Sequence, residues 1–420
     1  MIVQINIEPS ESKGCVMVAC PNRGQPKHLK VGNVVREGGL MARLHYYYHR
    51  LLSQIFQWKI CSLQRSVILL SLLTVFLFQP ENTHAQRYSR SFFAADHPYI
   101  QYTGRIDFTD TKLPRFWQPG VYITIKFMGP DCAIIVNDEV LWGKNHNYLE
   151  VVVDGKPVRI QTRSKKDTIS VAENLSKGVH TLTICKNTEA NIGYLEFVGV
   201  LCHQLVKPLP KPKRKIEFIG NSITCGTGSD VSSIPCGKGV WQDQHNAYMS
   251  YGAITARTLN AQYHLSAVSG IGLMHSCCNM NIIMPPVFNK ISMRNDTIAW
   301  DFNQYQPDVV TICLGQNDGV QDSITFSNNY IAFIRQLRGY YPKAEFICLT
   351  SPMADATLAA FMKKTLTAIV RNMNKNGDKK VTSYFFSKQF HNGCDHHPDL
   401  AEHKLIAGEL TAFIKKQMKW

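Results

Sequence analysis

The stretch Lys207–Lys215, written Lys-Pro-Leu-Pro-Lys-Pro-Lys-Arg-Lys, divides the chain more sharply than any other feature. Its three prolines block helix and central strand alike, and its five cationic side chains keep it in water, so it reads as a linker. The hydrophobic pattern differs on its two sides. Upstream, residues 99–205 carry short β-branched runs, Gly120–Phe127, Cys132–Val136, Tyr148–Val153, Val158–Thr162 and His180–Lys186, separated by Gly, Pro, Asp and Asn. A small all-β sandwich is the natural packing for such runs, and Asp154-Gly155 between two of them predicts a tight antiparallel hairpin.

Downstream, residues 216–418 alternate strand and helix patterns: Ile216–Gly220, Ala247–Leu259, Tyr263–Ala267, Asp308–Leu314, Asn328–Tyr340, Glu345–Leu349, Leu358–Asn374, Val381–Phe386 and Leu400–Met418. Alternation of this kind predicts an α/β domain with a mainly parallel sheet. The runs Asp308–Leu314 and Glu345–Leu349 are apolar without alternation, as strands covered by helices on both faces must be. At 420 residues and 45% hydrophobic composition the chain has enough material for two cores.

Upstream of both regions, Arg65 precedes the apolar run Val67–Phe78, and Thr83-His84-Ala85 offers small residues for cleavage. Residues 65–85 therefore read as a signal peptide, with mature protein expected from Gln86 and export to a periplasm or the exterior. A run of about twelve apolar residues falls short of the roughly 20 a membrane-spanning helix needs. Residues 1–64 show no recognisable domain and read as an over-extended start, Met41 being a better-placed initiator. N-terminal sequencing of the secreted protein decides between the two starts.

The formal charge of +15 suggests nucleic acid until it is divided. Residues 1–85 hold nine Lys/Arg against four Asp/Glu, which leaves 37 against 27, or +10, for the rest, part of it the linker cluster. With no zinc-finger spacing, RNA-binding aromatic motif or basic helix, a solvated basic surface is expected and nucleic-acid binding is not. Ten of the 13 cysteines follow residue 85, where export permits disulfides, and none stands in a metal-ligand pair, so no metal or other cofactor is expected.

In open α/β sheets ligands gather at the carboxyl ends of strands. Four such ends carry chemistry. Gly220-Asn221-Ser222 leaves the Ser222 hydroxyl on a turn, where the bland alternative is a helix-capping serine. Ser269-Gly270 lets a backbone N–H approach a substrate oxygen, or simply makes a tight turn. Gly315-Gln316-Asn317-Asp318 can aim the Asn317 amide at a developing oxyanion, or form an Asx-turn. Asp395-His396-His397-Pro398 supplies an imidazole suited to taking a proton from a serine, or else a surface loop or metal ligands.

Taken together, in this order, these four blocks resemble those of the SGNH, or GDSL-like, hydrolases over residues 216–418. The β region resembles the amino-terminal jelly-roll of the second family of carbohydrate esterases through Tyr102-Thr103-Gly104-Arg105, Pro119-Gly120, Asn147-Tyr148, Val153-Asp154-Gly155 and Gly178-Val179-His180-Thr181. Trp300-Asp301-Phe302 and Gln306-Pro307-Asp308 fit as well.

The resemblance implies a flavodoxin-like parallel sheet preceded by a jelly-roll sandwich, and a secreted carbohydrate O-acetyl esterase acting on an acetylated polysaccharide such as xylan or glucomannan, or on its oligosaccharides. It further implies Ser222 as nucleophile, His397 as base and an oxyanion hole of Ser222, Gly270 and Asn317. Asp395 is the expected third member of the triad, although a backbone carbonyl orients the histidine in some of the carbohydrate-esterase branch. Asn221 stands where many superfamily members have Asp, which should alter only a turn hydrogen bond. Cys225 and Cys394 flank nucleophile and base, so a bracing disulfide between them is conceivable. Trp142 and Trp241 could stack on sugar, but burial is the commoner fate of tryptophan. The rival readings are an esterase or lipase of the same fold on a non-carbohydrate ester, and a non-catalytic carbohydrate-binding protein.

Overall fold

A computed structural model describes residues 89–294 and 298–420. The expected signal peptide and over-extended start lie outside the described residues. The first sheet is built from β1 (Ser91–Ala94), β2 (Gln101–Thr103), β3 (Arg115–Phe116), β4 (Tyr122–Asp138), β5 (Tyr148–Val153), β6 (Lys156–Gln161), β7 (Lys166–Ala172), β8 (Val179–Lys186) and β9 (Leu195–Val206), all antiparallel.

β4 organises the sandwich. Two runs expected as separate strands are one 17-residue strand whose side chains alternate between core and surface. Its register slips between Met128 and Cys132, across Gly129-Pro130, where proline cannot donate to a ladder. The first half pairs with β2 and β8 and the second with β7, while β9 runs beside both halves across the slip. The hairpin from β5 to β6 turns at Asp154 and Gly155, both at positive φ (48° and 80°), the conformation that a two-residue turn between twisted strands requires.

The second sheet contains β10 (Arg214–Gly220), β11 (Ala261–Ala267), β12 (Val309–Ile312), β13 (Glu345–Leu349) and β14 (Val381–Tyr384), in the order β11-β10-β12-β13-β14 and parallel throughout. This is the flavodoxin-like order, whose switch point lies between its first and third strands, here β10 and β12. Its helices are α1 (Ser222–Cys225), α2 (Tyr251–Thr258), α3 (Met284–Val287), α4 (Ser323–Tyr340), α5 (Ala356–Lys375) and α6 (Leu400–Met418). Tyr251, Ala256, Ile406 and Leu410 of α2 and α6 cover one face against Ile216 and Phe218. Phe326, Phe333, Leu366 and Ile369 of α4 and α5 cover the other against Ile219, Val310 and Ile312. Among the described residues no helix is long and apolar enough to cross a membrane.

The two sheets belong to one compact unit. Residues 207–213 have no regular structure, while Arg214 and Lys215 already open β10. Arg105 of the sandwich, 1% exposed, pairs at 2.8 Å with fully buried Glu217 of β10 and lies 4.4 Å above the Phe288 ring. Glu217 also accepts from Ser266 (2.5 Å) and from Tyr341, and Arg105 donates to the carbonyls of Lys290 (3.0 Å) and Phe288. Gly120, at φ 73°, brings the backbone so close to the second sheet that a Cβ there would lie 2.6 Å from Leu265. Residues with side chains are excluded by that approach.

Candidate active site

Ser222 follows β10 by two residues and is the first residue of α1. Asn221 caps that helix, its side-chain oxygen accepting from the Ile223 N–H at 3.2 Å, so the amide does the capping that a carboxylate would do. As the opening residue of a helix, Ser222 has an N–H with no helical acceptor, free to face a ligand. Its side chain is only 8% exposed.

His397 comes from 175 residues away, and its Nε2 lies 2.8 Å from the Ser222 oxygen. Its Nδ1 lies 3.0 Å from the Cys394 carbonyl, an acceptor only. Nδ1 must therefore carry the proton, which leaves Nε2 as the lone pair facing the serine hydroxyl. Burial pulls the imidazole pKa below its ordinary value; the Cys394 carbonyl and the Asp395 charge oppose that shift without cancelling it.

The loop carrying His397 is held on three sides. Asp399 and Glu402 form a capping box that fixes the start of α6 three residues beyond the histidine. Cys394 donates its N–H to Gly228 (2.8 Å) and Leu400 to Ser229 (3.1 Å), tying the loop to the segment that follows α1. Gly228 sits at φ 66°, and a Cβ there would lie 2.7 Å from the Cys394 carbonyl oxygen. Cys236 forms a disulfide with Cys394. The partner differs from the one conceived from sequence, because Cys225 is a buried free thiol pointing away toward Glu189.

Asp395 departs from its expected place. It lies at φ 51° in a turn that carries its side chain outward, and it is exposed, while the Cys394 carbonyl occupies the position beside Nδ1. Only one residue separates Asp395 from His397, and the left-handed backbone at Asp395 and His396 sends the carboxylate to solvent. The carboxylate acts on the ring through its field, and the Asp395 backbone adds to the same upward pull.

Gly270 follows β11 and Asn317 follows β12, the two neighbours of β10, so the three expected donors come from adjacent strand ends. Gly270 has φ 81°. The Asn317 amide donates one N–H to the Ile271 carbonyl at 2.8 Å, which fixes the amide plane and leaves its second hydrogen available. Asp318, given no role from sequence, accepts from the N–H groups of Leu273 (2.9 Å), Met274 (2.6 Å) and His275 (3.0 Å) and so secures the loop after Gly270. Its position at the end of the Asn317 block was the available signal. Trp142 and Trp241 are 79% and 45% exposed, contrary to the commoner fate of tryptophan.

A hydroxyl hydrogen-bonded to a neutral imidazole, beside backbone and amide donors, suits nucleophilic acyl transfer. Residues 102–212 match the family described as carbohydrate esterase 2 N-terminal, and residues 218–383 match the GDSL-like lipase/acylhydrolase family. The chain is 34% identical to the cellulase/esterase CelE of Acetivibrio thermocellus over 77% of its own length, and spans 40% of that protein. It is 27% identical to an acetylxylan esterase/glucomannan deacetylase of Cellvibrio japonicus, with 84% of this chain and 98% of the relative covered. A solved family two carbohydrate esterase from Clostridium thermocellum, in complex with cellohexaose, is 32% identical at a TM-score of 0.70, over 76% of this chain and 99% of that one. With both domains matched in sequence and fold, the chain belongs to the second family of carbohydrate esterases, an SGNH hydrolase behind a jelly-roll.

Proposed function

We propose that the protein is an exported carbohydrate O-acetyl esterase working through an acyl-enzyme, with Ser222 as nucleophile and His397 as base. The observation that carries the reading is the 2.8 Å contact between the Ser222 oxygen and His397 Nε2, with Nδ1 held by a carbonyl. Nε2 takes the hydroxyl proton as Oγ attacks the acetyl carbon. The tetrahedral oxyanion is received by the N–H groups of Ser222 and Gly270 and the Asn317 amide, each such donor being worth about 2.7–4 kcal/mol of barrier. Collapse breaks the ester bond, His397 passes its proton to the sugar oxygen, and water repeats the sequence on the acetyl-enzyme to release acetate.

The substrate is an acetylated plant polysaccharide such as xylan or glucomannan, or an oligosaccharide from one. The relatives' names and the exposed Trp142 and Trp241 support that choice. Export is supported by the leader pattern at 65–85 and by the Cys236–Cys394 bridge. Acetate release from a panel of acetylated polysaccharides and from p-nitrophenyl esters of rising chain length tests the reading. Acetyl is expected to be preferred; faster turnover on long acyl chains would transfer the protein to lipid or other ester substrates.

Two further outcomes are expected. Because only neutral His397 accepts a proton and its pKa is depressed, kcat/KM should hold through neutrality and fall only below the ordinary imidazole value of 6.5. A pH profile with its acid limb above that value contradicts the buried, carbonyl-held imidazole. Asp395→Ala should keep kcat within about fivefold, not suffer the roughly 10⁴-fold loss that follows when a triad carboxylate touching the imidazole is changed. Its acid limb should move further toward low pH, since a charge favouring the imidazolium has been removed.

A further inference from the structure

Lys186, Asn187, Thr188, Glu189 and Ala190, which lead out of β8, are all fully buried, although four of the five are polar. They belong to the sandwich but are wedged against the hydrolase layer. Asn187 accepts from the backbone N–H groups of Ala247 (3.2 Å) and Tyr248 (3.1 Å). Lys186 folds its ammonium back onto the carbonyls of Thr188 (2.7 Å) and Glu189 (3.1 Å), so the segment is knotted on itself.

Glu189 then reaches the strand ends. Its Oε2 accepts from the Ser269 N–H at 2.5 Å and faces the Cys225 thiol at 3.5 Å, while its Oε1 is buried with no hydrogen-bond partner among the described residues. Ser269 immediately precedes Gly270, and Cys225 lies on the same short helix as Ser222. One carboxyl group therefore touches both the nucleophile's helix and the residue before an oxyanion donor. On the far side the Gly270 carbonyl accepts from the Cys277 N–H at 2.9 Å, and the Ser269 hydroxyl meets Thr227 at 2.7 Å.

We propose that Glu189 is a positioning residue contributed by the sandwich, its carboxyl oxygen fixing Ser269 so that the Gly270 N–H points into the oxyanion hole. The jelly-roll thus completes the catalytic centre. A full negative charge beside the hole would oppose the developing oxyanion, and burial pushes the Glu189 pKa up, which weakens that opposition. What the site requires of Glu189 is an acceptor oxygen at that place, which an amide supplies equally well.

This inference rests on the acyl-enzyme reading, and the experiment separates the two. Glu189→Gln, Glu189→Met and Glu189→Asp are compared with the parent in the full chain, on p-nitrophenyl acetate and an acetylated oligosaccharide, alongside their melting temperatures. Glu189→Met, which keeps the volume but removes the acceptor, should lose kcat by about thirtyfold or more, a substantial share of the 10²–10³ attached to a whole donor, with KM within about threefold. Glu189→Gln should retain kcat within about threefold.

A Glu189→Met enzyme that turns over like the parent overturns the proposal, and so does a Gln enzyme as damaged as the Met one. Should Glu189→Met fail to fold, Glu189→Asp decides, because it withdraws the oxygen by one methylene while keeping the charge. The same kcat loss supports the proposal, and parental kcat overturns it. If parental activity survives Ser222→Ala, the acyl-enzyme reading itself has failed.

Discussion

Replacing Ser222 by alanine should lower kcat on p-nitrophenyl acetate by roughly 10⁶-fold, about 8 kcal/mol of barrier, and leave only what the oxyanion donors and binding contribute. His397→Ala should cost nearly as much, and the double variant hardly more, because each group is useless without the other. The Ser222 hydroxyl has its 2.8 Å partner in His397, while the cap of α1 comes from Asn221, so the fold should survive the change. Steady-state and single-turnover kinetics read the result. A Ser222→Ala protein within a hundredfold of the parent would remove the esterase reading, since no nucleophile would then be in use at this site.

The largest expected effect on stability lies at Arg105, far from the chemistry. Arg105→Leu should destabilise the protein by about 3–5 kcal/mol, because it leaves the Glu217 carboxylate, 0% exposed, without its cation. Ser266 and Tyr341 still donate to Glu217, but neutral donors do not replace a guanidinium paired at 2.8 Å. Arg105→Leu combined with Glu217→Leu should recover part of the loss, since a missing pair costs less than a stranded charge. Denaturant unfolding, followed by two probes to check cooperativity, measures both. An unchanged midpoint for Arg105→Leu would mean that this pair does not hold the sandwich to β10.

Much of the architecture is legible in local pattern. Tyr148–Val153, Glu345–Leu349 and Leu400–Met418 are found with the bounds their patterns suggest, because turn residues or a capping box end them. Local pattern says less about the sandwich: it marks no strand at β1, β2, β3, β7 or β9 and divides β4 in two at Gly129-Pro130. Edge and bulged strands take their identity from partners far along the chain, and no local period reports that. Ser222, Gly270 and Asn317 could be singled out because each closely follows a strand, and strand ends of a parallel sheet share one edge, while His397 stands just before the last helix.

Alternation of strand and helix patterns, with a serine, a glycine and an asparagine after successive strands and a histidine before the last helix, was enough by itself to determine the class of fold and the kind of chemistry. Tertiary structure alone decided that the Cys394 carbonyl, and not Asp395, faces the imidazole, that Cys236 bridges to Cys394 in place of Cys225, and that Glu189 reaches the Ser269 N–H, next to Gly270, from the other domain. Periodicity and turn chemistry act over a few residues and are written in order along the chain. Which oxygen stands beside a given nitrogen depends on backbone angles within a turn and on segments 80 or 158 residues apart, and only packing brings those together.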